Sequence, residues 1–467
     1  MKLTARDIAR FTCGKLVSGS AESVDSVISA VSIDTRTIER GDLFVAIRGP
    51  HRDGHDYVAN ALESGAAGIV VSQLIEIAGS AFQVQVKDTT RALQDLAQVV
   101  RERAGVRVVA ITGSMGKTTT KEAAAAAMGS CRRVLKTKEN LNNLYGLPLT
   151  LLELGELGEE DVAVVEMGMS EPGEITRLTE IAKPDVGVLT NVAEVHLEFF
   201  DSISEIADAK GELLLGLAGD AVAVVNADDP LVLEQARKFA GRQIRFGLAP
   251  SADLRACQIR STSAGVHFRA EDGGRSVEVT SSLHGRHNVY NLLAGLAAAR
   301  ALDVPLEEAA SGLASLSPPR HRGERIALRG DILLIDETYN SNPRALICAL
   351  DALVDEDEGR RVAVVGDMLE LGPRASELHR EVGRHAATLE LGLLVGVGRL
   401  GREIVAGARV AGMAEARLAI CADAAAAGTF LERSLVEGDV VLVKGSRGVG
   451  LDETIELTKR ALSEGES

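Results

Sequence analysis

The stretch RVVAITGSMGKTTTKEAAAAAM, residues 107–128, decides the fold. Its first six residues, rich in Val and Ile, read as a buried strand, and the alanine-rich run that closes it reads as a helix. A glycine-containing turn between strand and helix lets backbone N–H groups approach phosphate oxygens, and the helix N-terminus adds its positive end. Thr112, Gly113, Ser114, Met115, Gly116, Lys117, Thr118 and Thr119 form this candidate cradle. Lys117 would reach terminal phosphates, and Thr118 would offer its hydroxyl to magnesium. Ile111 stands where the full GxxxxGK[ST] pattern has its first glycine, so the loop is a shorter variety. The bland alternative is a tight turn with a surface lysine.

Outward from this segment, the runs VAVVEMG, VGVLTN and AVAVVNADD alternate with helical stretches, which predicts a parallel, doubly wound sheet. Upstream, short apolar runs alternate with helical ones as far as about residue 103, as in a small α/β domain. Downstream, LEEAASGLASL is followed by the breaker SPPRHRG, and two prolines after a helix mark a boundary near residues 317–320. Beyond it DILLIDE, RVAVVGDM, LGLLVGVG and VVLVKGS renew the alternation in Rossmann-like form. The expected fold is therefore α/β in three domains. These are a small α/β domain over 1–104, a central phosphate-loop domain with a parallel sheet over 105–317, and a Rossmann-like domain over 318–467.

Composition agrees. A chain of 467 residues exceeds the roughly 250 to 300 that one core supports. With no Trp and 3% aromatics, its core must be aliphatic, as in covered parallel sheets. The net charge of −16 argues against nucleic acid, whose phosphates call for basic stripes. A small polyanion in one focused cleft remains compatible with it. Five widely spaced cysteines without a CxxC pair read as reduced, mostly buried thiols. The start MKLTARDIARF lacks the apolar run of a secretion signal, and no uncharged stretch of 18 apolar residues follows. A cytoplasmic protein without membrane insertion is expected.

Glu166 closes the strand VAVVEMG at the edge where open α/β sheets place ligands, and a carboxylate there suits a phosphate-bridging metal. A solvated strand-end glutamate would look the same. His196, after another strand end, reads alone as a hydrogen-bonded structural residue. Convergence of both strand ends on the phosphate loop is what raises them.

Taken in order, TGSMGKTT, NLNNLYGLPLT, VVEMGM, TNVAEVHLE, DAKGE, GRHNVYNLLA, IDETYNSNP, VVGDMLELG and VKGSRGVG resemble the Mur ligases along almost the whole chain. Asn140, Asn142, Asn143, Gly146 and Pro148 resemble the branch that adds D-alanyl-D-alanine to UDP-N-acetylmuramoyl-tripeptide. The resemblance implies a ligase using ATP and Mg2+, which activates a carboxylate as an acyl-phosphate for attack by an amine; a monomer is expected. It implies that Lys117 and Thr118 bind ATP phosphates and a first magnesium, with Glu166 as a further ligand. His196 would help hold a second magnesium. Lys210 matches a lysine that several relatives carbamylate, and otherwise reads as a helix-surface lysine. Asn288 and Asn291 would meet the adenine, while His287 could equally cap the helix.

In the third domain, Arg322 and Glu324 match residues brought to the nucleotide on closure. Asp336 would accept a ribose hydroxyl, and Tyr339, Asn340 and Asn342 would line the same loop. That loop also reads as a cap, because Asn-Pro before a helical run is a start signal. Lys444 and Arg447 would face phosphate or the dipeptide carboxylate. In the first domain, Ser32, Asp34, Thr35, Arg36, Arg48, Asp53, Gly54 and His55 match the uridine nucleotide-sugar site, with Arg36 and Arg48 fitting a diphosphate. Without the resemblance they read as a solvated face. Two departures stand out: Ala193 where the family more often has glycine, and Arg344, which completes an NPR string otherwise typical of a sister enzyme. The rivals are that sister enzyme adding the third residue, a folylpolyglutamate synthase, and a non-enzymatic nucleotide-binding module. A guanine-specific switch would need an NKxD-type reader, and Asn226 to Asp229 reads NADD instead.

Overall fold

Strands without a polar face need helices on both sides, and that requirement organises three sheets among the described residues. The computed structural model describes residues 3–77, 79–195, 197–356 and 359–463, apart from the side chains at 21, 22 and 156. The first sheet has Val31–Ser32, Leu43–Val45, Gly68–Val71 and Phe82–Gln85 in parallel, closed by the antiparallel edge Lys15–Ser18.

The central sheet places Arg107–Thr112 between Val162–Glu166 and Val186–Leu189, with Val134–Lys136 at one edge. On the other side follow Val222–Asn226, Arg242–Gly247 and Leu254–Thr262, all parallel. Gly265–Asp272 and Arg275–Ser281 then extend the sheet antiparallel. The purely parallel expectation for this domain is thus corrected at its far edge. The signal was the Gly273-Gly274 pair between alternating segments, which favours a two-residue hairpin.

In the third sheet Ile332–Glu337, Val440–Lys444, Arg361–Val365, Leu393–Val397 and Leu418–Cys421 run parallel, and Glu324–Leu328 pairs antiparallel at the edge. Aliphatic cores lie on both faces of the central and third sheets.

The helix Thr89–Ala104 joins the first two units. Asp88 caps it by accepting from Thr90 and Arg91 N–H, and Gly105 ends it. Its Leu93, Leu96 and Val100 share one core with Val45 and Phe82 of the first sheet and Leu151 and Leu178 of the central unit. Buried Arg101 donates to the carbonyls of Ala182, Val106 and Lys183 and to Asp185.

The five thiols are free, but only Cys421 is buried. Cys13 and Cys131 are exposed because each sits in the turn that ends a helix, correcting the expectation of mostly buried cysteines. Among the described residues no helix is long and apolar enough to cross a membrane.

Candidate active site

The register Ile111 with Glu166 and Thr112 with Leu189 brings two strand ends level with the phosphate loop. Gly113 and Gly116 have φ of 148° and 76°, left-handed backbone that favours glycine. A Cβ at Gly116 would lie 2.1 Å from Asn291 Oδ1, and one at Gly113 2.0 Å from Thr190 Oγ1. The loop is fastened from behind. Thr112 Oγ1 donates to Met167 O at 2.9 Å, Met115 N–H to Asn191 Oδ1 at 3.0 Å, and Ser114 N–H to Asn191 O at 2.9 Å. Thr119 lies buried in the first turn of the helix Lys117–Gly129. Lys117 Nζ donates to Gly113 O at 2.9 Å. Burial pulls its ammonium below the usual lysine range, with Arg322 adding repulsion and Glu166 opposing the shift.

Thr118 Oγ1 donates to Glu166 Oε2 at 2.8 Å, and Asn142 Nδ2 to Glu166 Oε1 at 2.8 Å. Glu166 is only 3% exposed, and Thr137 Oγ1 accepts its N–H. Asn143 Oδ1 accepts from Tyr145 and Gly146 N–H, starting the helix Gly146–Leu152, whereas Asn140 is exposed. His196 lies outside the described residues.

Lys210, on the helix Ile203–Leu215, is 1% exposed. Desolvation, helped by repulsion from Lys117, drives its pKa well below the usual lysine range. It is not the surface lysine that its helix would otherwise allow.

Across from the loop, Asn291 Nδ2 donates to Asn288 Oδ1 at 2.8 Å, so both lie on one helix face beside Gly116. His287 makes no cap bond; Gly285 holds the cap position, and the His287 Nδ1 is buried without a partner. Arg322 stacks on the Tyr339 ring at 3.9 Å, and Arg447 lies over it at 5.6 Å. These three and Thr118 line a cleft of about 470 Å³ between the central and third units, a volume suited to a small ligand.

Asp336 is 2% exposed; His321 meets its Oδ2 at 2.7 Å, and Thr338 donates twice to its Oδ1. Glu324 pairs with Asp336 across the edge strands. Asn340 Oδ1 accepts from Ser341 N–H, and Asn342 caps the helix Pro343–Val354 by accepting from Ala345 N–H, with Pro343 in its first turn. Lys444 is buried and engaged, donating to Glu337 Oε2 at 2.8 Å and to Asn340 O at 2.9 Å, which leaves Arg447 exposed beside the cleft.

In the first unit, Asp34 caps a short turn formed by Thr35, Arg36 and Thr37, its Oδ1 accepting from the Arg36 N–H at 3.0 Å, and pairs with the exposed Arg36 guanidinium at 2.6 Å. Ser32 Oγ accepts from Asp34 N–H. His55 is buried: its Nε2 accepts from Ser72 N–H, and its Nδ1 meets Asp53 Oδ1 at 2.5 Å. Hydrogen bonds from the His55 backbone and ring hold the Asp53 carboxyl down at about 2. Arg48 pairs with the same carboxylate, and Gly54 packs against the Ile47 backbone where a Cβ would meet Ile47 N at 2.7 Å. His55 therefore serves as an internal brace of the loop.

Sequence reasoning passed over Thr190, Asn191 and His321. Asn191 follows the strand Val186–Leu189, so a polar residue just past a strand end was the available signal. His321 adjoins the Pro-Pro breaker and carried none.

Models for the Mur ligase catalytic, middle and glutamate ligase domains match residues 27–110, 111–299 and 321–447. The chain is 37% identical over 453 residues to the UDP-N-acetylmuramoyl-tripeptide--D-alanyl-D-alanine ligase of Escherichia coli K12, covering 96% of this chain and 97% of that one. The chain belongs to the Mur ligase family. Among solved Mur ligases, MurF from Acinetobacter baumannii superposes with a TM-score of 0.88 at 30% identity, covering 98% of each chain. MurF from Thermotoga maritima, solved in complex with ADP, gives 0.82 at 30% identity, covering 93% of this chain and 97% of that one. The expected α/β, three-part Mur architecture is thereby met.

Proposed function

We propose that this Mur ligase joins the amine of D-alanyl-D-alanine to the terminal carboxylate of UDP-N-acetylmuramoyl-tripeptide, using ATP and forming an acyl-phosphate. The observation that carries the reading is the hydroxyl–carboxylate pair Thr118–Glu166 on the phosphate loop, in a chain alike over its full length to ligases of that name. A carboxylate does not react with an amine at neutral pH, because oxide is a very poor leaving group; activation is obligatory.

The loop amides and Lys117 would receive the transferring phosphoryl group and spread its charge. The Thr118 hydroxyl and Glu166 carboxylate are hard oxygen donors that fit Mg2+, which retains waters and takes few protein ligands. Magnesium would supply further charge neutralisation there, with His196 assigned to a second ion. Burial, which lowers the pKa of Lys210, would favour the neutral amine that adds carbon dioxide: an N–C bond would form, one proton would leave, and a carboxylate would result. Asn288 and Asn291 would hold the adenine, and Asp336, Tyr339, Asn340 and Asn342 the ribose side. Arg322 would approach the phosphates, and Arg447 would take the dipeptide carboxylate. Residues 1–104, with Ser32, Asp34, Thr35, Arg36, Arg48, Asp53, Gly54 and His55, would hold the uridine nucleotide sugar. The segment 105–317, with Asn140, Asn142 and Asn143, would carry ATP, and 318–467 would present the amine. We place the reaction in the cytoplasm, carried out by a monomer.

The test is phosphate release from ATP with candidate carboxylates and amines supplied pairwise. Release that requires both the tripeptide nucleotide and D-alanyl-D-alanine is expected. Equal release without the dipeptide, or none with every component present, would overturn the reading.

A further inference from the structure

The peptide between Val192 and Ala193 is buried, neither residue being more than 4% exposed, and its two polar atoms are claimed from opposite sides. Its N–H donates to Ser114 Oγ in the phosphate loop at 2.8 Å, and that hydroxyl donates on to the Ala193 carbonyl at 3.1 Å. Its C=O accepts from Arg344 Nη1 at 3.2 Å. Arg344 stands in the first turn of Pro343–Val354, a helix of the third unit. One peptide plane therefore links the C-terminal unit to the loop that the sequence reads as a phosphate cradle.

The rest of the strap is firm. The Val192 N–H donates to Asp229 Oδ2 at 3.0 Å, and the same oxygen lies 3.8 Å from the Arg344 guanidinium. Asp229 Oδ1 caps the helix Pro230–Ala236. Asn191 fastens the loop one residue earlier through Met115 and Ser114. A charged donor on an amide oxygen polarises the group and strengthens its N–H as a donor. Arg344 reaches across the boundary between units, so its bond to Val192 exists only when the third unit sits against the central one. The Arg344 side chain is 53% exposed, so shortening it leaves no cavity, and the buried Asp229 carboxylate keeps the N–H groups of Val192, Leu231 and Val232.

We propose that Arg344 is a positioning residue, which couples docking of the C-terminal unit to the geometry of the phosphate loop through the Val192–Ala193 peptide and Ser114. The proposal rests on the ATP-dependent reading above and adds to it a residue that touches no substrate. It also gives a role to the arginine of the NPR string.

Hydrogen exchange on the full chain reads the coupling without nucleotide. In Arg344→Ala, peptides covering 112–118 and 190–195 are expected to exchange about tenfold faster, as befits loss of one charge-assisted bond, with Val162–Glu166 unchanged. In steady state, kcat/KM for ATP should fall about tenfold while KM for the dipeptide stays constant. Most of that loss should disappear in a Ser114→Ala background, and Arg344→Lys should recover part of it. Unaltered exchange in 112–118, or losses that simply add in the double variant, would overturn the coupling. Wild-type protein that never cleaves ATP would instead defeat the ligase reading, and the exchange comparison would still decide the coupling.

Discussion

Thr118 and Glu166 meet hydroxyl to carboxylate at 2.8 Å, one in the first turn of the phosphate-loop helix, the other at the end of the neighbouring strand. Asn142 takes the second carboxylate oxygen, so both oxygens are aimed by neutral donors and the negative charge is left for a cation. Glu166→Gln keeps size and hydrogen bonding but removes that charge. Phosphate release is expected to fall on the order of a hundredfold and to need more magnesium for half-activation, with Tm little changed. A magnesium titration is the check, and an unaltered midpoint would take Glu166 out of the metal site.

Lys210 leads to a prediction about stability as well as turnover. Its pKa lies well below the ordinary 10.5, from burial first and Lys117 second. Between the depressed value and 10.5 the unfolded chain binds the extra proton, so the native state gains stability as pH rises through that window. Lys210→Met should therefore raise Tm at neutral pH in buffer free of carbon dioxide, while abolishing phosphate release. Lys210→Ala should lose activity that added short carboxylic acids partly restore. A lower Tm for the Met variant would mean the amine is paired and charged in the native state.

Tyr290 donates its hydroxyl to Asp228 Oδ2 at 3.0 Å, and burial followed by that carboxylate pushes the phenol up to about 12. The chain has 4 tyrosines and no tryptophan, so a phenolate absorbance titration is free of indole background. A late step near 12 is expected, and Tyr290→Phe should erase it. Because the folded value exceeds the unfolded one of about 10, the bond contributes fully below pH 10 and is lost as pH rises through 12. The Phe variant should lose roughly 0.5 to 1.5 kcal/mol at neutral pH, a deficit that narrows above pH 10. A titration with no late step would place the ring in solvent.

Local patterning made much of this legible in the sequence. The strand, turn and helix of residues 107–128 announce themselves through composition, and Asn342-Pro343 announces a helix start that the structure keeps. What stayed hidden depends on packing between distant segments. Lys444 read as a free cation at a strand end, yet Glu337 on the adjacent strand engages it. His55 read as part of a ligand site or a solvated face, yet it is buried against Ser72, seventeen positions away. Neither partner has a period or spacing that a single chain displays. The contact of Arg344 stayed hidden too, since its partner, the Val192 carbonyl, is a backbone atom 152 positions earlier.

The guanidinium of Arg101 ends among carbonyls of the central unit, and the helix that bears it is itself shared core. A gene split between residues 104 and 105 would strand an apolar helix face on one fragment and its matching groove on the other. Neither piece would be expected to stay in solution alone, and denaturant should melt the first two sheets in one cooperative step.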